Sequence, residues 1–453
     1  MLQFQSINPY TSQVIATHQG LGLDEIEAAL EKASHQFKNW RLTSFSDRAK
    51  LMLNAAERLK ANVEKYAAMI TAEMGKPISE ARGEVNKCAW VCEYYAEHAE
   101  EFLKSEQIDT DAQLSLVRND PMGCVLAIMP WNFPFWQVFR FAVPTLMAGN
   151  VAVLKHAPNV FGSAKLIEEL FLDADFPEGV FQNLIFHHDQ TEQVIAHKAI
   201  VGVSLTGSGK AGSAVASLAG KYIKKSLLEL GGSNAFIVWE DADLEKAVKT
   251  AVNARMMNTG QSCIAAKRFI LVESIYDEFV ERFTKAVSEL KSGDPTDNQT
   301  QIGVLARLDL ADQLQSQVQR SIDQGADLIY GGDQDQCYHQ PTILASVEPG
   351  MPAFEEETFG PLAAMIKVKD IDEAFERCGQ SKYGLGVTVC TKDTDKALSM
   401  ADRVGDGAYF VNELVKSDPR LPFGGTKYSG YGRELAKDGI LEFVNRKTVY
   451  LKS

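Results

Sequence analysis

The segment Val201-Gly202-Val203-Ser204-Leu205-Thr206-Gly207-Ser208-Gly209-Lys210-Ala211-Gly212 shows most directly how this chain folds. Its first half is an apolar, strand-like run, and its second half places three glycines in a turn that opens a helix. A strand that passes through a glycine turn into a helix is a building unit of parallel sheets covered by helices. Such a turn also lets a pyrophosphate approach backbone N–H groups, although a glycine turn without a ligand is the alternative interpretation.

The same alternation of strands and helices covers most of the chain. Runs typical of buried strands occupy residues 124–129, 151–154, 181–186, 201–205, 226–230, 235–238, 269–272, 363–368 and 386–390. Amphipathic helices are predicted ahead of them, over residues 24–40, 46–74 and 78–104. A chain of 453 residues exceeds the roughly 100 to 200 residues of one domain, so the sequence predicts two α/β domains with parallel sheets and a helical cap.

The composition is that of an acidic globular protein. Hydrophobic residues make up 45% of the chain and charged residues 23%, which argues against disorder. The net charge of −14 repels phosphate backbones and anionic bilayers, so neither nucleic acid nor a membrane surface is an expected partner. The uncharged stretch at residues 121–139 contains three prolines and therefore does not predict a membrane-spanning helix.

The seven cysteines lack the spacing of a disulfide framework or a zinc site. We therefore expect reduced thiols and no bound metal. The first 20 residues lack the basic and apolar regions of a secretory signal. These features together favour a cytoplasmic protein.

One cysteine differs from the others in its position. Cys263 follows the polar segment Asn258-Thr259-Gly260-Gln261-Ser262, between a predicted helix of about 15 residues and the strand at 269–272. A cysteine at the junction of two regular elements is a candidate nucleophile, because a reactive thiol has to be partly exposed. A small, buried, apolar side chain is the alternative interpretation of a lone cysteine.

Glu229 has the chemistry to assist such a nucleophile. It ends an apolar strand just before a Gly-Gly turn, where burial would raise its pKa and suit it to act as a general base. It also stands 22 residues after Gly207, where a dinucleotide-binding fold places an acid that binds ribose. The spacing alone leaves both roles open.

Asn132 is a third candidate. It lies in Pro130-Trp131-Asn132-Phe133-Pro134, where two prolines would hold the loop rigid. Its side-chain amide is able to donate to an oxyanion, although a turn within the core is an equally good interpretation of this segment.

Six motifs in one order, including the segment that holds Asn132, carry a family resemblance. The other five are Thr206-Gly207-Ser208, Leu228-Glu229-Leu230-Gly231-Gly232, the segment from Asn258 to Cys263, Glu357-Thr358-Phe359-Gly360-Pro361, and Pro422-Phe423-Gly424-Gly425 with Ser429-Gly430-Tyr431-Gly432-Arg433-Glu434. The chain resembles the aldehyde dehydrogenase superfamily over essentially its whole length. With its run Lys155-His156-Ala157-Pro158-Asn159, it looks most like bacterial succinate-semialdehyde dehydrogenases.

The resemblance implies the aldehyde dehydrogenase fold and a role for each motif. Cys263 would form a thioester with the aldehyde carbon, Glu229 would activate the hydrolytic water, and Asn132 would hold the oxyanion. Contacts to the cofactor are implied at Trp131, Lys155, Ala157, Pro158, Thr206, Gly207, Ser208, Gly212, Leu230, Glu357 and Phe359.

Pro158 bears on the choice of cofactor. Relatives that are strict for NAD usually carry a glutamate three residues after the lysine that matches Lys155. The proline removes an acceptor for the 2′-hydroxyl and a charge that would repel a 2′-phosphate. We therefore expect NADP to be accepted, with NAD as a possible second cofactor.

Arg140 and Ser417 are the candidates for binding a substrate carboxylate. Arg140 is the only charged residue between positions 121 and 154, and guanidinium groups bind carboxylates strongly, although a structural ion pair is the alternative role. Ser417 matches a hydroxyl that related enzymes use. Many of those enzymes also carry an arginine six residues before the nucleophile, where this chain has Met257. The expected substrate is succinic semialdehyde, followed by glutaric semialdehyde and other small aldehydes.

The resemblance also suggests the domain limits. A cofactor-binding domain would comprise residues 1–107 and 119–228, with 429–443 returning to it, and a catalytic domain would comprise 229–428. Residues 108–118, interpreted as a projecting hairpin, and 444–453 would join subunits into a homodimer or homotetramer.

Two other classes within the superfamily stay open. A CoA-acylating relative usually lacks the base at the position of Glu229, and a non-catalytic binding protein would be expected to lose Cys263 or Glu229. Both residues are present, which favours a hydrolytic dehydrogenase.

Overall fold

The computed structural model describes residues 3–452 and has fifteen α-helices and twenty-two strands within them. The helices are α1 Leu23–Trp40, α2 Phe45–Ala61, α3 Val63–Met74, α4 Ile78–Leu103, α5 Trp136–Met147, α6 Phe161–Asp173, α7 Thr191–Ala196, α8 Gly209–Lys221, α9 Leu244–Met256, α10 Glu273–Ser288, α11 Leu308–Asp323, α12 Pro352–Glu355, α13 Ile371–Gly379, α14 Thr394–Ser399 and α15 Ala436–Leu441. None of these helices has the length and apolar character needed to span a bilayer.

The strands alternate with the helices for most of the chain. They are β1 Gln3–Ile7, β2 Val14–Gln19, β3 Glu106–Gln107, β4 Leu114–Pro121, β5 Cys124–Met129, β6 Val151–His156, β7 Phe181–Asn183, β8 Ile200–Thr206, β9 Lys225–Glu229, β10 Asn234–Val238, β11 Ala266–Val272, β12 Asp327–Tyr330, β13 Gln334–Asp335, β14 Tyr338–His339, β15 Thr342–Ala345, β16 Leu362–Val368, β17 Tyr383–Gly384, β18 Val387–Cys390, β19 Tyr409–Val411, β20 Thr426–Lys427, β21 Gly430–Tyr431 and β22 Val444–Leu451.

The first large sheet has the strand order β21-β9-β8-β5-β6-β7 and is parallel except for β21. Helices α1 to α6 share one apolar core with it, so the predicted helical cap packs on this sheet. Strand β6 is buried along its whole length, as expected for a parallel strand covered on both faces.

The second large sheet has the order β12-β15-β16-β11-β10-β18-β19, and only β12 runs antiparallel to its neighbour. Its core is separate from that of the first sheet. Each of the nine strands predicted from the sequence is present, and the α/β class with parallel sheets is confirmed. Strand β21 returns to the first sheet after the second is complete, while the domain limits themselves stay a prediction.

The third sheet, β22-β4-β3, is antiparallel and small. Strand β22 pairs with β4 over eight residues, from Val444 opposite Pro121 to Leu451 opposite Leu114. The hairpin predicted at 108–118 has different limits, because its arms are β3 and β4 and residues 108–113 form the connection between them.

The helix predicted over 46–74 is wrong as one element. It is interrupted at Asn62, which has φ −119° and ψ 26° and separates α2 from α3. The Asn62 side chain donates to the carbonyl oxygen of Arg58 at 2.9 Å and so competes with the helical hydrogen bonds. The apolar pattern continues across this break, which is why periodicity alone did not reveal it.

Candidate active site

Cys263 lies where two cavities meet. The larger cavity, of about 580 Å³, is lined by the glycine turn after β8 and by several of the motifs quoted above. A narrower cavity of about 280 Å³, called the channel below, has mainly apolar walls that include Phe133, Trp136 and Phe423. Because Cys263 lines both, this residue can be approached from either one.

The larger cavity contains most of the residues predicted to contact a cofactor. Those that line it are Trp131, Thr206, Gly207, Ser208, Leu230, Glu357 and Phe359, together with Asn132. Ser208 caps helix α8 by accepting from the N–H of Ala211 at 3.2 Å, so the positive end of the helix dipole faces this space. The volume, the helix N-terminus and the carboxylate of Glu357 fit a large, anionic, ribose-bearing ligand such as a dinucleotide.

Four predicted cofactor residues lie outside the lining of this cavity: Lys155, Ala157, Pro158 and Gly212. Lys155 is in β6, and burial lowers the pKa of its ammonium, which lies 5.6 Å from the centre of the Phe186 ring. At Gly212, a Cβ atom would lie 2.6 Å from Leu230, so this glycine allows α8 to pack closely against Leu230. Cofactor contacts at these four positions stay a prediction.

The segment that carries the nucleophile, residues 257–263, has an unusual backbone, and we call it the nucleophile loop. Asn258, Thr259 and Gly260 have φ angles of 56°, 52° and 72°, so three consecutive residues are left-handed. This conformation costs about 1–3 kcal/mol for a residue such as Thr259. Gly260 is needed for a second reason, because a Cβ there would lie 2.3 Å from the carbonyl oxygen of Gly360.

Two buried cations hold the nucleophile loop in place. Arg255 donates to the carbonyl oxygen of Gly260 at 2.6 Å. Lys267 donates to those of Ser262 at 2.9 Å and Cys263 at 2.8 Å. Sequence reasoning missed both cations, although a lysine or arginine inside an apolar run is a signal of a buried polar contact.

Asn258 joins the nucleophile loop to the loop of the Asn132 motif. Its side-chain amide donates to the carbonyl oxygens of Asn132 at 2.8 Å and Gln261 at 3.0 Å. Gln261 in turn accepts from the N–H of Ala306 at 2.9 Å. The thiol is therefore positioned by a network that spans several segments.

The thiol of Cys263 is held in its neutral form. Burial raises its pKa to about 11; the charges of Glu357 and Glu229 act in the same direction, and those of Arg140 and Lys267 oppose it. An ordinary free thiol would be ionised to a few per cent at neutral pH. Cys263 therefore needs a base to take its proton when it attacks.

Two hydrogen-bond donors near Cys263 suit an oxyanion. Asn132 is buried, and one of its two amide hydrogens is used by the carbonyl oxygen of Gln261 at 3.1 Å, which leaves the other. The backbone N–H of Cys263 has no acceptor within residues 3–452. Preorganised donors of this kind stabilise negative charge that develops on a reacting oxygen.

Glu229 ends β9 and is only 2% exposed. Neither of its carboxylate oxygens has a hydrogen-bond partner among the described residues. Burial raises the pKa of this carboxyl well above its usual range, Glu434 raises it further, and Arg140 opposes the shift. Glu229 lines neither cavity, but it is close enough to Cys263 for its charge to raise the pKa of the thiol. Its role as a general base stays a prediction.

The channel contains both predicted substrate residues, but one of them is already paired. Arg140, 1% exposed, forms an ion pair with Glu434 and donates to Thr206 at 3.3 Å. Arg140 therefore makes the structural ion pair that was the alternative to binding a substrate carboxylate. Ser417 accepts hydrogen bonds from Lys87 and Trp136, two channel residues that sequence reasoning missed.

Comparison with known proteins agrees with this geometry. The model of the aldehyde dehydrogenase family matches residues 2–449. The succinate semialdehyde dehydrogenase Sad of Escherichia coli, named as using NAD(P)+, is 47% identical and covers 98% of this chain and 97% of its own length. The NADP+-dependent succinate-semialdehyde dehydrogenase of Deinococcus radiodurans is 44% identical, with coverage of 98% and 94%.

A solved structure also supports membership of this family. The succinic semialdehyde dehydrogenase of Streptococcus pyogenes, in complex with NADP+, superposes with a TM-score of 0.97 at 39% identity, covering 99% of this chain and all of the other. The resemblance inferred from the six motifs is thus confirmed. The chain belongs to the aldehyde dehydrogenase family.

Proposed function

We propose that this enzyme oxidises succinic semialdehyde to succinate with NADP or NAD as the hydride acceptor. The observation that carries the proposal is the position of Cys263, between a cavity suited to a dinucleotide and a channel with mainly apolar walls. The other groups that the reaction needs are the buried, unpartnered carboxylate of Glu229 and the two oxyanion donors. The names of the relatives in Escherichia coli, Deinococcus radiodurans and Streptococcus pyogenes support the choice of substrate.

The first half of the reaction forms a bond to Cys263. Its sulfur attacks the aldehyde carbon, and the thiol proton passes through water to Glu229. The former carbonyl oxygen becomes an oxyanion, which the Asn132 amide and the Cys263 backbone N–H hold. A nicotinamide cofactor bound in the larger cavity supplies the hydride acceptor. Loss of hydride from the carbon restores the carbonyl and leaves an acyl thioester on Cys263.

The second half releases the acid. Glu229 first releases the thiol proton to solvent. It then takes a proton from water, and the resulting hydroxide attacks the thioester carbon while the same two donors hold the new oxyanion. The carbon–sulfur bond then breaks, and the Cys263 thiolate regains a proton. The raised pKa of Glu229 makes it a stronger base for this step than an exposed carboxylate.

Glu357 and the turn at Thr206-Gly207-Ser208 are the residues that we propose to hold the cofactor from within the cavity. Lys155 would bind the adenosine ribose or its 2′-phosphate, and Pro158 leaves that phosphate unopposed by a carboxylate. NADP is therefore the first choice and NAD the second.

We also propose a homodimer or homotetramer built through the third sheet. Strand β22 lies at an edge of that sheet and is largely exposed, which leaves backbone groups available for a second copy. A cytoplasmic location is supported by the seven cysteines, all of which are free thiols.

The test is an assay of NADP and NAD reduction with succinic semialdehyde, with glutaric semialdehyde as a second substrate, each with and without CoA. We expect succinate as the product and no stimulation by CoA. Formation of succinyl-CoA would assign the CoA-acylating reaction instead. Absence of turnover with either cofactor and either aldehyde would favour a non-catalytic binding protein.

A further inference from the structure

The channel holds three cationic side chains, and two of them are paired with carboxylates. Arg140 pairs with Glu434, and Lys416 pairs with Glu413 at 3.1 Å. Lys87, by contrast, has no carboxylate partner in the part of the chain that the structure describes. A cation that is mostly buried and unpaired is costly, unless a ligand supplies the missing negative charge.

Lys87 lies on α4, and its ammonium is held at a fixed place in the channel. Its Nζ donates to Ser417 Oγ at 2.8 Å and lies 4.2 Å from the centre of the Trp136 ring. That bond is the single hydrogen bond that Lys87 makes within residues 3–452, so two of its three N–H donors are left over. The indole packs beneath the ammonium and restricts its movement.

The hydroxyl of Ser417 is also available to donate a hydrogen bond. Its oxygen accepts from Lys87 and, at 3.1 Å, from Trp136 Nε1, so both of its lone pairs are occupied. Its own O–H has no acceptor within the described residues. A hydroxyl in this state can interact with a ligand only as a donor, and it therefore selects an anionic or carbonyl oxygen.

We propose that Lys87 and Ser417 together bind the terminal carboxylate of the aldehyde substrate. Met257, which also lines the channel, carries no charge, so Lys87 is the channel cation that has no carboxylate partner among the described residues. The apolar walls between this pair and Cys263 would contact the carbon chain. The inference rests on the proposed oxidation of an aldehyde at Cys263 and specifies what the channel recognises, an aldehyde with a carboxylate at its other end.

The first test compares succinic semialdehyde with butanal, which has four carbons and no carboxylate. For Lys87→Gln, we expect kcat/KM for succinic semialdehyde to fall by about 10- to 100-fold, the effect of losing hydrogen bonds to a charged group. For butanal, it should change by less than roughly threefold, which also shows that the variant is folded. Lys87→Arg should recover part of the preference, because its charge remains.

Lys104→Gln is the matched control, since it removes an exposed positive charge from the residue that follows the same helix. Lys104→Gln should leave kcat/KM unchanged for both substrates. If Lys87→Gln lowered kcat/KM equally for both substrates, or left KM for succinic semialdehyde unchanged, the proposal would be overturned.

Calorimetric titration with succinate separates this inference from the proposed function. If the wild-type enzyme oxidises neither aldehyde, the proposed function fails, and the titration still tests whether Lys87→Gln weakens carboxylate binding by the same 10- to 100-fold. If it oxidises butanal and succinic semialdehyde equally well, the carboxylate site is overturned while the oxidation of aldehydes stands.

The wild-type enzyme offers a second measurement, which does not depend on any variant. Burial and the charge of Arg140 lower the pKa of Lys87 to about 8, so its positive charge is lost as the pH rises through that value. The preference for succinic semialdehyde over butanal should therefore decline as the pH rises through about 8. The ratio of kcat/KM for the two substrates is used because ionisation of the thiol affects both values equally and cancels from the ratio.

Other ionisable groups near the ammonium have to be separated from Lys87. They are Glu80, Glu84 and Cys88 on α4, Arg140 on α5, Cys263 in the nucleophile loop, and Lys416 and Asp418 beside Ser417. Glu80 lines the channel, and burial raises its pKa to about 7, so its ionisation would also repel a carboxylate as the pH rises. In Lys87→Arg, the decline near pH 8 should vanish and any step due to Glu80 should remain. An unchanged decline in that variant would contradict the assignment to Lys87.

Discussion

The two cavities that meet at Cys263 are built in different ways. The larger cavity is formed to a great extent by turns of the backbone, such as Thr206-Gly207-Ser208, whose shape depends on local sequence. The channel is formed by side chains from α4, α5, the nucleophile loop and residues 414–417, which meet only in the folded protein. A change in one cavity should therefore affect one ligand, and a change at Cys263 should affect the whole reaction.

The largest effect is expected at the point shared by both cavities. Cys263→Ala removes the atom that forms the acyl-enzyme, and we expect turnover to fall by at least about 10⁴-fold. Binding of NADP, measured by calorimetry, should persist, because the larger cavity is intact. Turnover near the wild-type level would disprove the covalent mechanism.

Glu229→Gln should have the next largest effect. Loss of the base should slow turnover by about 10²- to 10⁴-fold. Rapid mixing followed by mass spectrometry should show either accumulation of an acyl adduct on Cys263 or slow formation of that adduct. If the variant turned over as fast as the wild type, another group would have to act as the base.

Pro158→Glu tests the larger cavity separately from the channel. The new carboxylate should repel a 2′-phosphate and raise KM for NADP roughly tenfold, while KM for NAD falls or stays the same. KM for succinic semialdehyde should stay within about twofold of the wild type, since no wall of the channel changes. Equal changes for NADP and NAD would place the 2′-phosphate elsewhere.

Met257→Arg tests the channel separately from the larger cavity. Met257 is 41% exposed, so an arginine could extend from this position without being buried. An added cation should lower KM for succinic semialdehyde by roughly threefold and leave KM for butanal and NADP unchanged. A lower KM for both aldehydes would show that the effect is unrelated to the carboxylate.

The two cavities also differ in how well they could be predicted from the sequence. Strands β5, β8 and β9 could be predicted because buried parallel strands are continuous apolar runs, and the motifs at their ends pointed to the larger cavity. Cys263, Glu229 and Asn132 were selected as candidates in the same way, because each follows or ends a regular element, and their roles stay predictions.

The channel could not be predicted as well, because its parts are distant in sequence. Lys87 lies on an amphipathic helix where a lysine is normally solvated, and only contact with Ser417, 330 residues away, gives it a role. Arg140 was isolated in an apolar run, but the sequence did not show that Glu434 would pair with it. A signal was nevertheless present, since Glu80, Glu84 and Lys87 recur at spacings of four and three residues, which place them on one face of α4.

The left-handed backbone of the nucleophile loop has a consequence for how this enzyme could diversify. Gly260 contacts the backbone of Gly360, and buried cations hold the loop on both sides, so insertions or larger residues there would displace the thiol. Residues 414–417, which form another part of the channel wall, have no regular secondary structure and no left-handed backbone. Laboratory evolution towards longer or shorter aldehydes should therefore accumulate its changes in that wall and leave the nucleophile loop intact.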